Sequence, residues 1–345
     1  MNKGRFVISL DFEMFWGVCD AQTVAAYGQN VLGEWQAVPR LLTLFRQHGI
    51  RVTWATVGML MCRDFAQWRA IRPAVLPGYL RADCSPYAKE EMAREHPRLF
   101  FARPLVERIL ATPGQELGSH TYSHFYCREP GATPEQFAAD LQCAQDVAAE
   151  LGTQCRTLVL PRNQVVQDFL AVLPGAGIRV YRGNMRHWLY RDGDAVAGGV
   201  AGRAARFADA CIPLSGAGAV REQGGHDLVN LPASRFLYPC SALHGGLLEL
   251  RLRRIRRGMS AAAKAGEVFH LWWHPHNFGV HLDQNLAMLG DILLHYRSLA
   301  DRYGMQSQCM GDFADPASQH GRLPSTQACA PGGARPIGGF HRTAP

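Results

Sequence analysis

Hydrophobic positions along the chain change period several times, and the changes predict strands alternating with helices. Residues 6–10, Phe-Val-Ile-Ser-Leu, form the short apolar run of a strand buried on both faces. Val38, Leu41, Leu42 and Phe45 then recur at helical spacing, so 34–47 reads as an amphipathic helix. Gly49 punctuates the chain and 52–57 returns to a strand pattern, giving a β-α-β opening. The alternation continues with a helix at 105–110 broken by Gly114, a strand at 116–119, and a helix at 134–151. Thr133 is placed to cap that helix, with Pro134 at its first position. A strand at 157–160, a helix at 165–173, a strand at 178–181, a strand at 268–272 and a helix at 284–302 complete the series. This order predicts an α/β fold with a parallel sheet wrapped by helices, open or closed into a barrel.

Two regions break the alternation. Residues 72–98 contain Pro73, Pro77, Gly78 and Pro86 and read as a long excursion, of the kind that often borders a substrate groove. After about Asp315 the chain turns to Pro, Gly, Ala, Ser and Gln, which predicts one domain over 1–314 and a disordered tail over 315–345. No internal repeat is present.

Composition narrows the function classes. With 345 residues, 47% hydrophobic and 19% charged, the chain reads as a folded globular protein. Its net charge is +7, but the basic residues cluster only at Arg251, Arg253, Arg254, Arg256 and Arg257. As a helix that stretch sets Leu252 and Ile255 on one face and leaves the arginines as a solvated surface. No aromatic interleaving or nucleic-acid motif accompanies it, so no nucleic-acid partner is expected. The ten cysteines are scattered without a C-x-x-C pair, and no apolar N-terminal stretch precedes the first strand. Both features predict a reduced, cytoplasmic protein. No apolar run reaches the roughly 20 residues of a membrane span, and the sequence assigns no oligomeric state.

The candidate chemistry lies at strand ends. Gly118-Ser119-His120-Thr121-Tyr122-Ser123-His124 sets two histidines four apart, which on a helical turn would let both imidazoles reach one ion. By themselves they fit an ordinary polar turn equally well. Ser9-Leu10-Asp11-Phe12-Glu13 adds two carboxylates, and strand alternation sends Asp11 and Glu13 to the same side. Two acids ending an apolar strand repel one another unless a cation offsets them. Glu13 could complete a His-His-carboxylate shell, leaving Asp11 as the base.

These motifs resemble the polysaccharide deacetylases, whose second motif, His-Ser/Thr-x-x-His, matches His120-Thr121-Tyr122-Ser123-His124. The first family motif, Thr-Phe-Asp-Asp-Gly, is altered: Asp11 is kept and the second acid is displaced by one residue to Glu13. The altered motif is similar to an Asp-x-Asp/Glu variant in branches that include intracellular enzymes and cyclic-amide hydrolases. Leu160-Pro161-Arg162-Asn163-Gln164 resembles the third motif, which implies that Arg162 orients Asp11. His274-Pro275, at the end of 268–272, resembles the last motif and implies that His274 is the general acid, with His276 second. His270 reads as buried, and Trp272 or Trp273 could stack on a sugar. The stretches Ser9–Gly17 and Tyr181-Arg182-Gly183-Asn184 are similar to a bacterial subgroup found with cell-surface polysaccharide biosynthesis.

The resemblance implies a distorted (β/α) barrel and a divalent metal held by Glu13, His120 and His124. Zinc is the first choice for these ligands, with Co, Ni and Mn as alternatives. It also implies Asp11, Arg162 and His274 as catalytic residues and an acetylated carbohydrate as substrate. A cyclic-amide hydrolase of the allantoinase kind and an inactive sugar-binding homologue are the alternatives.

Overall fold

The structure is a computed structural model that describes residues 2–185, 187, 190, 202, 205, 208–209, 215–225, 227–240 and 245–314. The expected apolar runs become β1 (Arg5–Phe12), β2 (Val52–Thr56), β3 (Gln115–Ser119), β4 (Thr157–Val159), β5 (Val180–Gly183) and β9 (Val268–Trp273). Shorter strands are β6 (Gln223–Gly224), β7 (Val229–Pro232), β8 (Arg235–Phe236) and β10 (Gln306–Gln308). The sheet runs β6-β7-β5-β4-β3-β2-β1-β9-β8, with β10 pairing β1, and its pairs are parallel except β6 with β7.

The sheet curls until its two sides meet. β7 pairs with β5, whereas β8, two residues further on, pairs with β9. Between them the Ala233 N–H donates to Gly183 O and the Ser234 N–H to His270 O. The expected α/β barrel is therefore borne out, as a distorted one with mostly parallel strands.

Strand alternation sorts β1 into two faces. Phe6, Ile8, Leu10 and Phe12 point outward into the large core beneath the helices. Val7 points inward and joins Ala55, Val159, Val180, Leu231 and Val268, with Met310 and Phe313 packed against them. Above Val7 the same inward column continues as Ser9 and Asp11. The barrel is thus apolar at the starts of its strands and polar at their ends, where α/β folds build sites.

The outer helices obey their local signals. Gly49 ends the Glu34–His48 helix in the left-handed conformation, φ 64°, which has no Cβ penalty in glycine. Thr133 and Gln136 form a reciprocal capping box at the start of the Pro134–Glu150 helix. The 165–173 helix is shorter than expected, only Gln167–Leu170, because the chain turns ahead of Pro174 and Gly175. In the Gly245–Ala265 helix the expected solvated arginine surface is corrected: Arg253 and Arg257 are exposed, but Arg251 and Arg254 are each only 7% exposed. They flank Leu252 and Ile255, which dock inward, and are carried in with them.

The excursion over 72–98 holds short helical turns and reaches the strand ends through Tyr79, whose hydroxyl accepts from the Tyr126 N–H. The predicted tail, 315–345, lies outside the described residues. Among the described residues no helix is long and apolar enough to cross a membrane, and the eight cysteines are free thiols.

Candidate active site

Glu13 follows β1 immediately and opens a 3-10 turn, Met14–Gly17. Its carboxyl lies against the backbone of Gly17, where a Cβ would overlap it. Glycine there is a condition of where Glu13 sits.

His120 ends the extended run of β3 and His124 follows on a loop, without the expected helical turn. Thr121 and His124 adopt left-handed φ values of 63° and 56°, and these two reversals bring the rings together with centroids 5.1 Å apart. Buried Asp140, on the Pro134–Glu150 helix, pins the loop by accepting the N–H groups of Tyr122 (2.7 Å) and Ser123 (3.1 Å). Thr121 Oγ1 accepts the Phe125 N–H.

Both histidines direct Nε2 at one oxygen of Glu13: His120 Nε2 is 3.3 Å and His124 Nε2 3.1 Å from Oε2. The contacts on the far side of each ring fix what those nitrogens carry. His120 Nδ1 lies 2.8 Å from the Val159 carbonyl, which can only accept, so Nδ1 holds a proton and in the neutral ring Nε2 keeps its lone pair. His124 Nδ1 faces the Tyr126 hydroxyl at 3.2 Å. Burial pushes the His124 imidazole below its ordinary range against the pull of Glu13, which favours its neutral form. Two lone pairs and a carboxylate oxygen facing one point repel without a cation between them. The three buried ligand atoms, within 4.8 Å of one another, fit a divalent ion with its outer ligand hydrogen bonds already made.

The other oxygen of Glu13 is engaged differently. His276 Nε2 is 3.2 Å from Oε1, while its Nδ1 meets the Tyr27 hydroxyl at 2.8 Å and the Asn277 amide nitrogen at 3.3 Å. Two donors at Nδ1 put the His276 proton on Nε2, where it donates to Glu13. His276, second choice as acid on sequence grounds, is here a holder of Glu13. Glu13, His274 and His276 also form a grouping with metal-ligand spacing, but the Nε2 proton of His276 opposes an ion there.

Asp11 faces inward from β1 and is 2% exposed. The expected pair between Asp11 and Arg162 does not form. Arg182, on β5, instead grips Asp11 through both oxygens, Nη1–Oδ1 and Nη2–Oδ2 each 2.7 Å. Arg162 bonds Asp20 and lies over the Tyr126 ring. The reason is local: Arg162 and Asn163 after β4 both take left-handed φ of 53°, a turn that sends Arg162 outward and leaves Asn163 Oδ1 3.0 Å from Arg182 Nη2. Burial pushes the Asp11 carboxyl up, but the Arg182 guanidinium outweighs it and holds Asp11 below the usual carboxylate range. In the sequence Arg182 stands only within the Tyr181–Asn184 stretch; that a strand-end arginine on β5 faces β1 across the barrel is not visible there.

Ser9 extends the cluster, accepting from Arg182 Nη1 at 3.0 Å and meeting His270 Nε2 at 2.9 Å. His270 is buried as expected, and burial, then the charge of Arg182, pushes it down to about 3. His274 stands at the rim, its Nε2 3.8 Å from both Asp11 Oδ2 and Glu13 Oε1. Trp272 lines the adjoining cavity with His274, whereas Trp273 packs in the core against Phe278. The site thus holds an ionised, guanidinium-bound carboxylate, a candidate metal-ligand triad and an imidazole open to the cavity, parts that hydrolysis at a carbonyl would use.

Residues 32–181 match a family model described as polysaccharide deacetylase. Over these residues the chain is similar to the polysaccharide deacetylases. The match contains His120, His124 and Arg162; Asp11, Glu13 and His274 lie outside it and join them through the fold. A Mycobacterium smegmatis structure assigned as a polysaccharide deacetylase is 15% identical, with a TM-score of 0.58 over 91% of this chain and 90% of that one. The Puue allantoinase gives 12% identity and a TM-score of 0.55 over 93% and 92%. A 4-alpha-glucanotransferase from Thermococcus litoralis gives 10% and 0.51, covering 91% of this chain and 40% of that one. At these identities the likenesses establish the fold. No curated protein matches the chain.

Proposed function

We propose that the protein is a metal-dependent amide hydrolase that removes the N-acetyl, or another acyl, group from an amino sugar of a glycan or cell-surface polysaccharide precursor, releasing acetate. The observation that carries this reading is the convergence of the Asp11–Arg182 pair, the Glu13–His120–His124 triad and His274 at one end of the barrel. Glu13, His120 and His124 would hold the metal, for which zinc is the first choice. When bound, such an ion supplies Lewis-acid polarisation of the acyl carbonyl and activation of water.

The chain's own residues supply the proton transfers. Asp11, ionised and aimed by Arg182, takes a proton from the attacking water as the new C–O bond forms. That proton passes to His274, whose Nε2 lies 3.8 Å from Asp11 Oδ2, and His274 delivers it to the sugar nitrogen as the C–N bond breaks, so that the amine leaves neutral and the acyl group departs as a carboxylic acid. Arg182 is a positioning residue: its fork sets the direction of the Asp11 lone pairs and keeps them unprotonated. His276 positions Glu13. The catalytic region would be 1–314 with a tail beyond it, acting in the cytoplasm on a precursor rather than on finished polymer.

The test is acetate release from N-acetylhexosamine oligomers by metal-replete protein, with allantoin assayed in parallel because the fold is shared with an allantoinase. Acetate and free amine in equal amounts are expected. Hydrolysis of allantoin alone would move the reading to a cyclic-amide hydrolase, and no product from any acylated sugar or cyclic amide would end it.

A further inference from the structure

The turn after β4 that sends Arg162 away from Asp11 puts Asn163 in its place. Asn163 holds a left-handed φ of 53°, a conformation that asparagine tolerates better than most residues with a side chain. Its carboxamide is tied at one atom. Arg182 Nη2, which grips Asp11 Oδ2 at 2.7 Å, lies 3.0 Å from Asn163 Oδ1. A guanidinium can only donate, so the atom facing it is the oxygen, and the amide nitrogen is fixed on the other branch. No described group accepts from that Nδ2, and the atom is not sealed from solvent. Asn163 lines the cavity of about 260 Å³ that Trp272 and His274 also line.

The place of that donor in the barrel gives it a target. β4 lies between β3, which His120 follows, and β5, which carries Arg182, whereas β9, which His274 follows, pairs with the other edge of β1. Asp11 Oδ2 joins the two flanks, 2.7 Å from Arg182 Nη2 and 3.8 Å from His274 Nε2. An amide attacked by a water at Asp11, with its nitrogen turned to His274, directs its carbonyl oxygen to the flank where Asn163 stands. That oxygen gains negative charge as the tetrahedral intermediate forms, and a preorganised N–H stabilises it more than it stabilises the neutral carbonyl. Arg182 does not serve there, because Nη1 and Nη2 are spent on Ser9, Asp11 and Asn163.

We propose that Asn163 is a catalytic residue, its Nδ2–H donating to the acyl oxygen as negative charge builds there. No proton changes owner in this contact, and the assignment rests on the amide-hydrolase reading of the site. The carboxamide then has two roles: Oδ1 steadies the fork that aims Asp11, and Nδ2 meets the carbonyl under attack. They can be told apart, because a carboxylate supplies the first and not the second.

Asn163→Asp in the full-length, metal-replete protein separates the two roles. Aspartate has the same shape, accepts the left-handed backbone and keeps an oxygen on Arg182, but carries no N–H. Acetate release from N-acetylhexosamine oligomers should fall about 10²–10³-fold in kcat with KM little changed, and the loss should persist on the plateau of the pH profile. The added carboxylate also raises the Asp11 pKa and moves the acid limb to higher pH, an effect that the full profile resolves from the plateau. Plateau turnover within a few-fold of the unaltered protein would overturn the proposal and leave Asn163 as a support for Arg182. A raised KM at unchanged kcat would also overturn it, placing Nδ2 on a part of the substrate that does not react. Should N163D fail to fold, Asn163→Gly decides, since glycine has no penalty at this φ. The same plateau loss is expected, whereas a supporting role alone would move the acid limb and keep plateau turnover. An unaltered protein that hydrolyses no acylated sugar or cyclic amide would end the hydrolase reading and this assignment with it; an active N163D would end the assignment alone.

Discussion

Two clusters of buried charge adjoin in this barrel, and they offset the cost of burial in different ways. At the strand ends, Asp11 is bound by a complete fork from Arg182, and Glu13 is bound by imidazoles that are themselves held from behind. In the wall of the neighbouring cavity, Arg235 and Arg254 share one carboxylate, Asp209, and the Arg251 guanidinium packs against the Tyr238 ring. The first cluster has an acid for each positive partner and asks for a cation only where lone pairs collide. The second binds two guanidiniums and a serine hydroxyl to a single buried carboxylate. Burial alone does not mark a site; the direction in which the buried groups face does.

The comparison can be broken most sharply at Asp11. If Asp11 is the base, Asp11→Asn lowers kcat by about 10²–10⁴-fold. Steady-state turnover of metal-replete protein checks this, and a drop of only a few-fold would leave the base unassigned.

Arginine replacements separate the fully buried pair from the half-buried one. Arg182→Met leaves Asp11 buried without a partner and should destabilise the fold by about 3–5 kcal/mol. Arg162→Met breaks a pair whose arginine side chain is 29% exposed although its Asp20 partner is only 4% exposed, so it should cost less than R182M. Urea unfolding of the two variants would show the difference. In R182M, burial is no longer outweighed, so the Asp11 pKa rises and the acid limb of the kcat/KM profile moves to higher pH. Arg182→Lys should recover part of that shift, which a purely structural role would not predict.

Gly17→Ala tests the close approach behind Glu13. The added methyl must displace the carboxyl, so metal occupancy should fall while the melting temperature changes little.

The smallest effect is on stability against pH. His270 titrates near 3 in the folded chain and near 6.5 when unfolded. Between those values the unfolded chain binds a proton that the folded chain refuses. Stability is therefore fully present above pH 6.5 and falls on acidification, by at most about 1.4 kcal/mol per pH unit. Asp140, pushed up to about 6 by burial, acts in the opposite sense over its own narrower window. The His270 contribution is isolated by comparing the unaltered protein with His270→Gln at pH 5 and pH 7, where the variant should lose less.

Much of this architecture was legible along the chain because it depends on local pattern. Strand period alone aims Asp11 inward and Phe12 outward, and Thr133 with Pro134 announces a helix start that the capping box confirms. What the pattern hid was long-range. The partner of Asp11 comes from a strand 171 residues away, and the turn at Arg162 and Asn163 that removes the nearer candidate is a backbone conformation, not a residue type. His120 and His124 were found by a spacing argued from helices, although left-handed residues in a loop produce the same convergence. Arg251 and Arg254 read as solvated when charge alone is considered. Extending the stripe of Leu252 and Ile255 to Met259 and Ala262 would have placed them beside the buried face.

The division of labour between the two acids is the centre of this account, and metal content measured against turnover in paired variants tests it most directly. Glu13→Ala should lose the metal and with it the activity, whereas Asp11→Asn should keep the metal at the unaltered stoichiometry and lose only turnover. Metal lost from D11N and retained in E13A would contradict the account and exchange the roles of the two carboxylates.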